Sequence, residues 1–393
     1  MARAVMIGAG NIGRGFIGQL LENAGIHVVF ADINKAVIDE INRGSGYTVH
    51  IMDDQCKEVL VSNISGVDST SSAMIEEFQS CDLIATAVGL SVLSKVASSI
   101  AKGIVSRKNR GCTQSLNVIA CENAVRASSI LKQAVYTLLS PDEQRYCDQY
   151  VGFPDCTVDR IVPIIKCANP IDVMVESHFE WVVDKTAIRG NLPHVPAMMI
   201  VENLQAYIER KLYILNCGHA ITAYLGYHKG YKTIQEAIRD EEIHAIVRGA
   251  LLESGHALSQ KHGIHPREQE LYIDAVLTRF ANPHFADDVS RVGREPLRKL
   301  ASEDRLIQPA MLSVAHGNPA PNLIIGIVAA LRYDNPADPQ CGQIQEMIAH
   351  LGLKETLHQV SGIGHDEPIA NDIAMVYDAV RFFSHDETKV HVA

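Results

Sequence analysis

The chain has one tryptophan, no CxxC pair, no HExxH and no low-complexity tract. Its most apolar later stretch, Leu323 to Leu331, is about half of the roughly 20 residues that a membrane helix needs, so no membrane partner is expected. It also lacks a basic excess: 35 Lys plus Arg stand against 46 Asp plus Glu, a formal charge of −11. That balance argues against non-specific binding to nucleic acid or an anionic membrane, though it says nothing about a single basic pocket for a small phosphate. The nine cysteines are odd in number and show no zinc spacing, which reads as reduced thiols in a cytoplasmic protein. His256, His262 and His265 lie close in sequence, but no carboxylate or cysteine joins them at a ligand spacing, so no metal is expected. In MARAVMIGAGNIGRGF, the residues Gly8, Gly10, Asn11 and Arg14 interrupt the apolar run before a signal-peptide core can develop.

What is present is enough apolar sequence, 47%, to build full cores, and a length of 393 residues that predicts two domains. Ala4 to Ile7 reads as a strand and Gly8 to Gly13 as a tight turn. Phe16, Ile17, Leu20, Leu21 and Ala24 then follow at helical spacing, and Val28 to Ala31 forms a second strand. Strand patterns recur at Leu83 to Val88, Leu116 to Cys121, Val158 to Ile165 and Val173 to Val183, and Gly44 to Ile64 has room for a strand or hairpin. After about Asn191 the pattern turns helical. The predicted helices are Met198 to Gly226, Thr233 to His262, Pro266 to Phe280, Asp287 to Leu300 and several segments from Leu306 to Ser384. Pro193 and Pro196 mark the change. The expectation is residues 1–192 as one domain and 193–393 as a mostly helical domain for substrate binding and catalysis.

Gly8, Gly10 and Gly13 form G-x-G-x-x-G between a strand and a helix. The first glycine permits the tight turn, the second lets backbone approach a pyrophosphate, and the third lets the helix pack closely on the strand. A helix start presents free N–H groups and partial positive charge to phosphates. Gly8, Ala9, Gly10, Asn11, Ile12 and Gly13 are therefore the candidate dinucleotide turn, and Asp32 at the end of the second strand is the candidate acceptor for the adenosine ribose hydroxyls. A carboxylate there repels a 2′-phosphate, so NAD is expected over NADP. The fold class is α/β: an N-terminal Rossmann-type parallel-sheet domain followed by a mostly α-helical C-terminal domain.

The segment ERKLYILNCGHAITAYLGY carries Lys211, Asn216 and His219. At α-helical pitch Asn216 lies roughly 140° and His219 roughly 80° from Lys211, so the three can border one cleft. A desolvated lysine can take a proton from a hydroxyl, an asparagine amide can donate to a developing alkoxide, and a histidine can fix a neighbouring hydroxyl. Any long helix offers such a set, and Arg210 and Lys211 also suit a solvated face.

At this point the strings GAGNIGRGFIG, ACENAVRAS, VGFPDCTVDRIVP, EWVVD, ERKLYILNCGHAITAYLGY, DDVSRVGREPLRKL and DRLIQPA, taken in order, carry a resemblance. The sequence resembles the polyol-specific long-chain dehydrogenases and reductases, and within them the branch that acts on mannitol 1-phosphate. The resemblance covers nearly the whole chain. It implies zinc-independent, NAD-dependent oxidation of D-mannitol 1-phosphate to D-fructose 6-phosphate, and the reverse reduction. It places the family motif K-x4-N-x2-H on Lys211, Asn216 and His219. Lys211 is then the general base for oxidation, Asn216 and Asn123 hold the reacting oxygen, and His219 orients the polyol. Cys217 inside the motif and Cys156 near VDRIVP are small departures that remove no functional side chain.

Which residues read a substrate phosphate is open at this level. Arg294, Arg298 and Lys299 form a basic cluster, with Arg294 and Arg298 sharing a face if the segment is one helix. A solvated face paired with Asp287, Asp288 and Glu295 is the alternative. Arg14 beside the turn is a further phosphate candidate, and Asp159 and Arg160 either line the site or pair with each other. His316 and His365 sit in Gly/Pro loops. The expected partner is a small sugar phosphate, and the chain is expected to be a monomer or weak homodimer. The rival readings are a related dehydrogenase of an unphosphorylated polyol or sugar acid, similar to mannitol 2-dehydrogenase, and a non-catalytic NAD-sensing protein.

Overall fold

The computed structural model describes residues 2–380 apart from 53–55, 164–166 and 285–286. The end of the extended run expected over Val158 to Ile165, the middle of the segment Gly44 to Ile64 and the last residues of the helical stretch expected to Ser384 lie outside the described residues. The chain divides into two compact units, Met1–Tyr207 and Ile208–Ala393.

The first unit is built on a six-stranded parallel sheet. In chain order the described strands are β1 (Arg3–Ile7), β2 (His27–Asp32), β3 (Tyr47–Ile51), β4 (Lys57–Val61), β5 (Ile64–Asp68), β6 (Leu83–Thr86), β7 (Leu116–Ala120), β8 (Val151–Gly152), β9 (Cys156–Asp159), β10 (Val173–Val175), β11 (Glu180–Asp184) and β12 (Met198–Val201). The main sheet runs β5-β2-β1-β6-β7-β8, with every described pairing parallel. Numbered within the sheet, that is 3-2-1-4-5-6, the doubly wound dinucleotide-binding order. Its central strands are continuous apolar runs because both faces are covered. Ala4, Met6, Val28 and Phe30 pack on one side with Phe16, Ile17 and Leu20. Val5, Ile7, Val29 and Ala31 pack on the other with Phe78, Leu93, Ile100 and Leu131. Within Gly44 to Ile64, where a strand or hairpin is expected, lies the antiparallel pair β3–β4, which joins β10 in a small sheet, while β9, β11 and β12 form another.

One buried cation ties two helices on the second face. Arg107, 1% exposed, lies on the helix Leu93–Asn109. Its Nη1 donates to Phe78 O, Gln79 O and Cys81 O at 2.9, 3.2 and 3.3 Å, and its Nη2 donates to Gln114 O at 2.7 Å. Three of these carbonyls lie at the end of the helix Ser72–Ser80, where the last turn has no intrahelical donors. A guanidinium with five N–H groups meets that need in one side chain.

The second unit is helical. At its centre the helix Cys217–His228 is buried almost throughout. Neighbours reach its backbone at small residues: a Cβ on Gly218 would stand 3.1 Å from Leu251, and one on Gly226 would stand 2.7 Å from the Ala237 Cβ. The long helices Glu241–His262, Pro266–Phe280 and Pro321–Leu331 pack around this core.

Three helical expectations are corrected. Met198 to Val201 is strand β12, paired in parallel with Trp181 to Asp184, and the helix starts only at Leu204. The stretch Thr233 to His262 is two helices, because Asp240 leaves helical geometry and caps Glu241–His262 by accepting from the Glu242 and Ile243 N–H groups. Asp287 to Leu300 is also broken: Val289–Gly293 ends at Arg294, Glu295 takes a left-handed conformation at φ 59°, and Pro296 starts a new short helix. Arg294 and Arg298 therefore do not share a continuous helix face. No described helix is long and apolar enough to cross a membrane.

Candidate active site

In the first unit the predicted cofactor residues gather at the carboxyl ends of β1 and β2. Gly8 has a φ of +100°, which only glycine adopts without strain, and its N–H donates to Ala31 O at 2.9 Å. A Cβ on Gly13 would fall inside the contact radius of Gly8 O, whereas Gly10 is exposed and a Cβ there would meet nothing within 4 Å. The first and third glycines are thus fixed by packing, and the second leaves backbone open to an incoming group. Asn11 to Asn23 is one helical run, and Gly13–Gly18 is wound as π-helix, a widened turn that recurs at functional sites. Asn11 sits beside the turn and donates from Nδ2 to Pro163 O at 3.4 Å, and Ile12 is 37% exposed.

The Asp32 carboxylate braces this turn. Its Oδ2 accepts from the Ala9 N–H at 2.7 Å and its Oδ1 from the Asn34 N–H at 2.8 Å. Each oxygen keeps a lone pair for a ribose hydroxyl. The open glycine, the helix start and the anchored carboxylate fit the pyrophosphate and adenosine ribose of NAD. Asp32→Ala is expected to raise the Kd for NADH by about 10- to 100-fold, the loss of one or two hydrogen bonds to a charged acceptor, and to narrow the preference over NADPH. Fluorescence titration with both nucleotides checks this.

Arg14, a phosphate candidate in the sequence, is engaged inside the fold. It is 5% exposed, its Nε donates to Ile171 O at 2.9 Å and its Nη1 bonds Ala9 O, so it clamps the turn from inside. Burial lowers its pKa. Arg160 does not pair with Asp159. Its Nε donates to Glu176 O at 3.0 Å, its Nη1 donates to Gly15 O and Gln19 Oε1 at 3.0 and 2.6 Å, and desolvation takes its pKa down to about 10.

Asn123 lies in the exposed loop just beyond β7. Next to it stands a residue that sequence reasoning passed over. Glu122 is 5% exposed and accepts from Thr86 Oγ1 at 2.7 Å, Val88 N–H at 3.0 Å and Gly89 N–H at 2.8 Å. It fastens the loop after β6 to the end of β7, which fixes the backbone that carries Asn123.

In the second unit, Lys211–Asn216 is a π-helical stretch between the helices Leu204–Arg210 and Cys217–His228. This revises the angular argument. Bonding from i to i+5 widens the turn and brings the fifth residue back toward the first, so Asn216 stands nearer the Lys211 face than α-helical pitch allows. Lys211, Asn216 and His219 are each partly exposed along this run, while Tyr213, Ile214 and Leu215 are buried. The Asn216 side-chain amide makes no hydrogen bond among the described residues. The residues before Lys211 anchor the segment: Glu209 meets Lys261 Nζ at 2.8 Å and His262 Nε2 at 2.7 Å, and Arg210 lies 4.4 Å from the Tyr272 ring centroid and 3.4 Å from Glu268. Ser254 Oγ donates to Tyr213 O at 2.7 Å inside the widened turn. His262 is thereby an anchor of the helix.

His219 is held from two sides. Its ring stacks on Phe280 with centroids 5.2 Å apart and planes 19° apart, and its Nε2 lies 3.2 Å from Asp287 Oδ2. Burial pushes the Asp287 carboxyl up, but contacts from His219 and Arg291 outweigh it and leave the carboxyl below its usual value.

The basic cluster is divided. Arg298 pairs with Glu295 at 2.8 Å and approaches Asp304 at 3.7 Å. Lys299 is 4% exposed, bonds Arg294 O, and is pushed down to about 8 by desolvation and by the neighbouring Arg305 and Arg298 charges. Arg294 is exposed. Its Nε donates to Arg291 O at 3.2 Å, and its terminal nitrogens make no hydrogen bond among the described residues. His316 Nδ1 contacts Leu312 O and His365 pairs with Glu355 at 2.9 Å. No three His, Cys, Asp or Glu side chains gather as a metal site among the described residues.

The chain matches the mannitol dehydrogenase Rossmann domain over residues 2–197 and the mannitol dehydrogenase C-terminal domain over residues 203–381. It belongs to the mannitol dehydrogenase family. Two solved structures share the fold of this family member. A D-sorbitol dehydrogenase in substrate-free form has 15% identity and a TM-score of 0.80, covering 95% of this chain and 92% of its own. A Pseudomonas fluorescens mannitol 2-dehydrogenase in ternary complex with NAD and D-mannitol has 16% identity and a TM-score of 0.70, covering 96% and 91%.

Proposed function

We propose that the chain is an NAD-dependent dehydrogenase that interconverts D-mannitol 1-phosphate and D-fructose 6-phosphate, using a lysine for proton transfer and no metal. The observation that carries the dehydrogenase reading is the open Asn216 amide on the same widened helical turn as Lys211. A proton acceptor and a donor aimed at developing negative charge are what alcohol oxidation requires. In oxidation Lys211 takes the proton of the reacting hydroxyl, and in reduction it returns one. Asn216, with Asn123 as a second donor, stabilises the oxygen as charge builds on it, which lowers the barrier because charge peaks between alcohol and ketone. His219 binds and orients the adjoining hydroxyl. The residues Gly8 to Gly13 and Asp32 hold NAD, which when bound supplies the two-electron acceptor.

The phosphate reading rests on the ordered strings of the sequence and on Arg294, whose open guanidinium nitrogens suit a phosphomonoester. Arg298 and Lys299 are proposed as support for the local charge, not as direct ligands, since both are engaged. The test is initial rates with fructose 6-phosphate and with fructose, each with NADH and NADPH. Turnover is expected with fructose 6-phosphate and NADH. Arg294→Ala is expected to raise KM for fructose 6-phosphate by about 10- to 100-fold, the value of a charge-assisted hydrogen bond or two, with any rate on fructose unchanged.

One observation favours a second reading. The two named structural neighbours are called a D-sorbitol dehydrogenase and a mannitol 2-dehydrogenase, the second in complex with D-mannitol. Equal or faster turnover of fructose and mannitol supports that reading and rejects the phosphate one. Binding of NADH with no turnover of any polyol supports an NAD-sensing role instead.

A further inference from the structure

We propose that Asp287 is a positioning residue that sets the tautomer of His219, so that Nε2 carries the proton and Nδ1 is left as an acceptor for a substrate hydroxyl. The proposal rests on the role given to His219 above. A carboxylate has only acceptors to offer, so an imidazole nitrogen 3.2 Å from Asp287 Oδ2 must be the protonated one. Arg291 binds Asp287 from its other side and keeps it ionised in place. Asp287 is itself fixed through its backbone, because its carbonyl accepts from the Ile234 N–H at 2.8 Å. Phe280, stacked on the imidazole, limits rotation of the ring out of its plane. With Nε2 committed, the neutral ring has one remaining polar atom, Nδ1. It makes no hydrogen bond among the described residues, and the side chain is 28% exposed.

The consequence is directional. An Nδ1 acceptor pairs with an O–H donor and leaves that hydroxyl's oxygen free for other donors. The opposite tautomer would present N–H to the substrate. It would discriminate poorly between a hydroxyl, which can donate and accept, and a carbonyl or ether oxygen, which only accepts. Asp287 therefore makes His219 a reader of hydroxyl groups. It does so without touching the substrate, so its removal acts on recognition more than on the chemical step.

The direct test is nitrogen-15 NMR of histidine-labelled protein above the pH at which imidazoles protonate, with His219→Gln used to assign the resonance. The wild type is expected to show His219 as the Nε2–H tautomer. Asp287→Asn places an amide that can donate to Nε2, and the spectrum is expected to shift toward Nδ1–H. Kinetically, Asp287→Asn is expected to raise polyol KM by 10-fold or more while kcat changes by less than about threefold. Asp287→Glu, which keeps the acceptor, is expected to recover part of the affinity. An Nδ1–H tautomer in the wild type overturns the proposal even if the variants do not fold. So does an unchanged KM and spectrum in a folded Asp287→Asn. The NMR result does not depend on which substrate is turned over. An inactive wild type with the expected tautomer therefore rejects the functional reading of the family site and leaves the role of Asp287 standing.

Discussion

Lys211→Ala is expected to lower kcat by about 10²- to 10⁴-fold in both directions while NADH binds with unchanged Kd, the effect of removing a positioned acid–base group. The segregation of the two sets of residues is the reason. The turn Gly8 to Gly13 and Asp32 belong to the parallel-sheet unit, and Lys211 belongs to a helix whose own anchors are Glu209 with Lys261 and His262, and Arg210 with Tyr272. Truncating the lysine removes a proton carrier and leaves both anchors in place. Stopped-flow reduction with NADH, paired with a nucleotide titration, reads the two quantities separately. A parallel loss of NADH affinity would instead mark Lys211 as a structural residue of the cofactor site.

The largest effect on stability is expected at Arg107. Arg107→Met keeps most of the apolar stem and removes four hydrogen bonds to buried or half-buried carbonyls. Each unsatisfied buried acceptor costs about 1–3 kcal/mol, so a loss on the order of 3–5 kcal/mol is expected after water reaches some of them. In a unit of this size that lowers Tm by roughly 10 °C, which differential scanning calorimetry reads directly. A shift under about 2 °C would mean that the end of the helix Ser72–Ser80 finds other donors, and that the cation is dispensable.

Much of the fold was legible because parallel sheets bury both faces of their strands. The runs Ala4 to Ile7, Val28 to Ala31 and Leu116 to Cys121 have no alternation to hide them, and the glycine turn stands where a strand meets a helix. The short strand Met198–Val201 was missed because half of it is exposed and its pairing with Trp181 to Asp184 is a distant contact with no local signature. The break at Arg294 and Glu295 falls between Gly293 and Pro296, two residues that interrupt helices, inside a stretch whose pattern reads as one helix.

The sequence names candidate site residues, and the structure adds a setting that it does not show. Lys211, Asn216 and His219 stand on one segment, as their spacing suggested, yet the widened turn that draws Asn216 toward Lys211 leaves no trace in periodicity. The sequence offers Asp287 as a partner for the cluster Arg294, Arg298 and Lys299. In the structure it is bound instead by Arg291, outside that cluster, and by His219, a partner 68 positions earlier in sequence. Glu122 sits beside Asn123 in sequence, so adjacency could have flagged it, but its three donors come from the end of β6 and the loop after it.

One measurement bears most directly on the account: the pH dependence of mannitol 1-phosphate oxidation in the wild type and in Lys211→Ala, with and without added small primary amines. A lysine must shed its proton before it can accept one. The wild-type kcat is therefore expected to climb as the medium becomes alkaline and then level off, the variant to be slow and flat, and added amine to restore part of both rate and slope. The same climbing profile in Lys211→Ala, with no response to amine, would contradict the assignment of proton transfer to this residue.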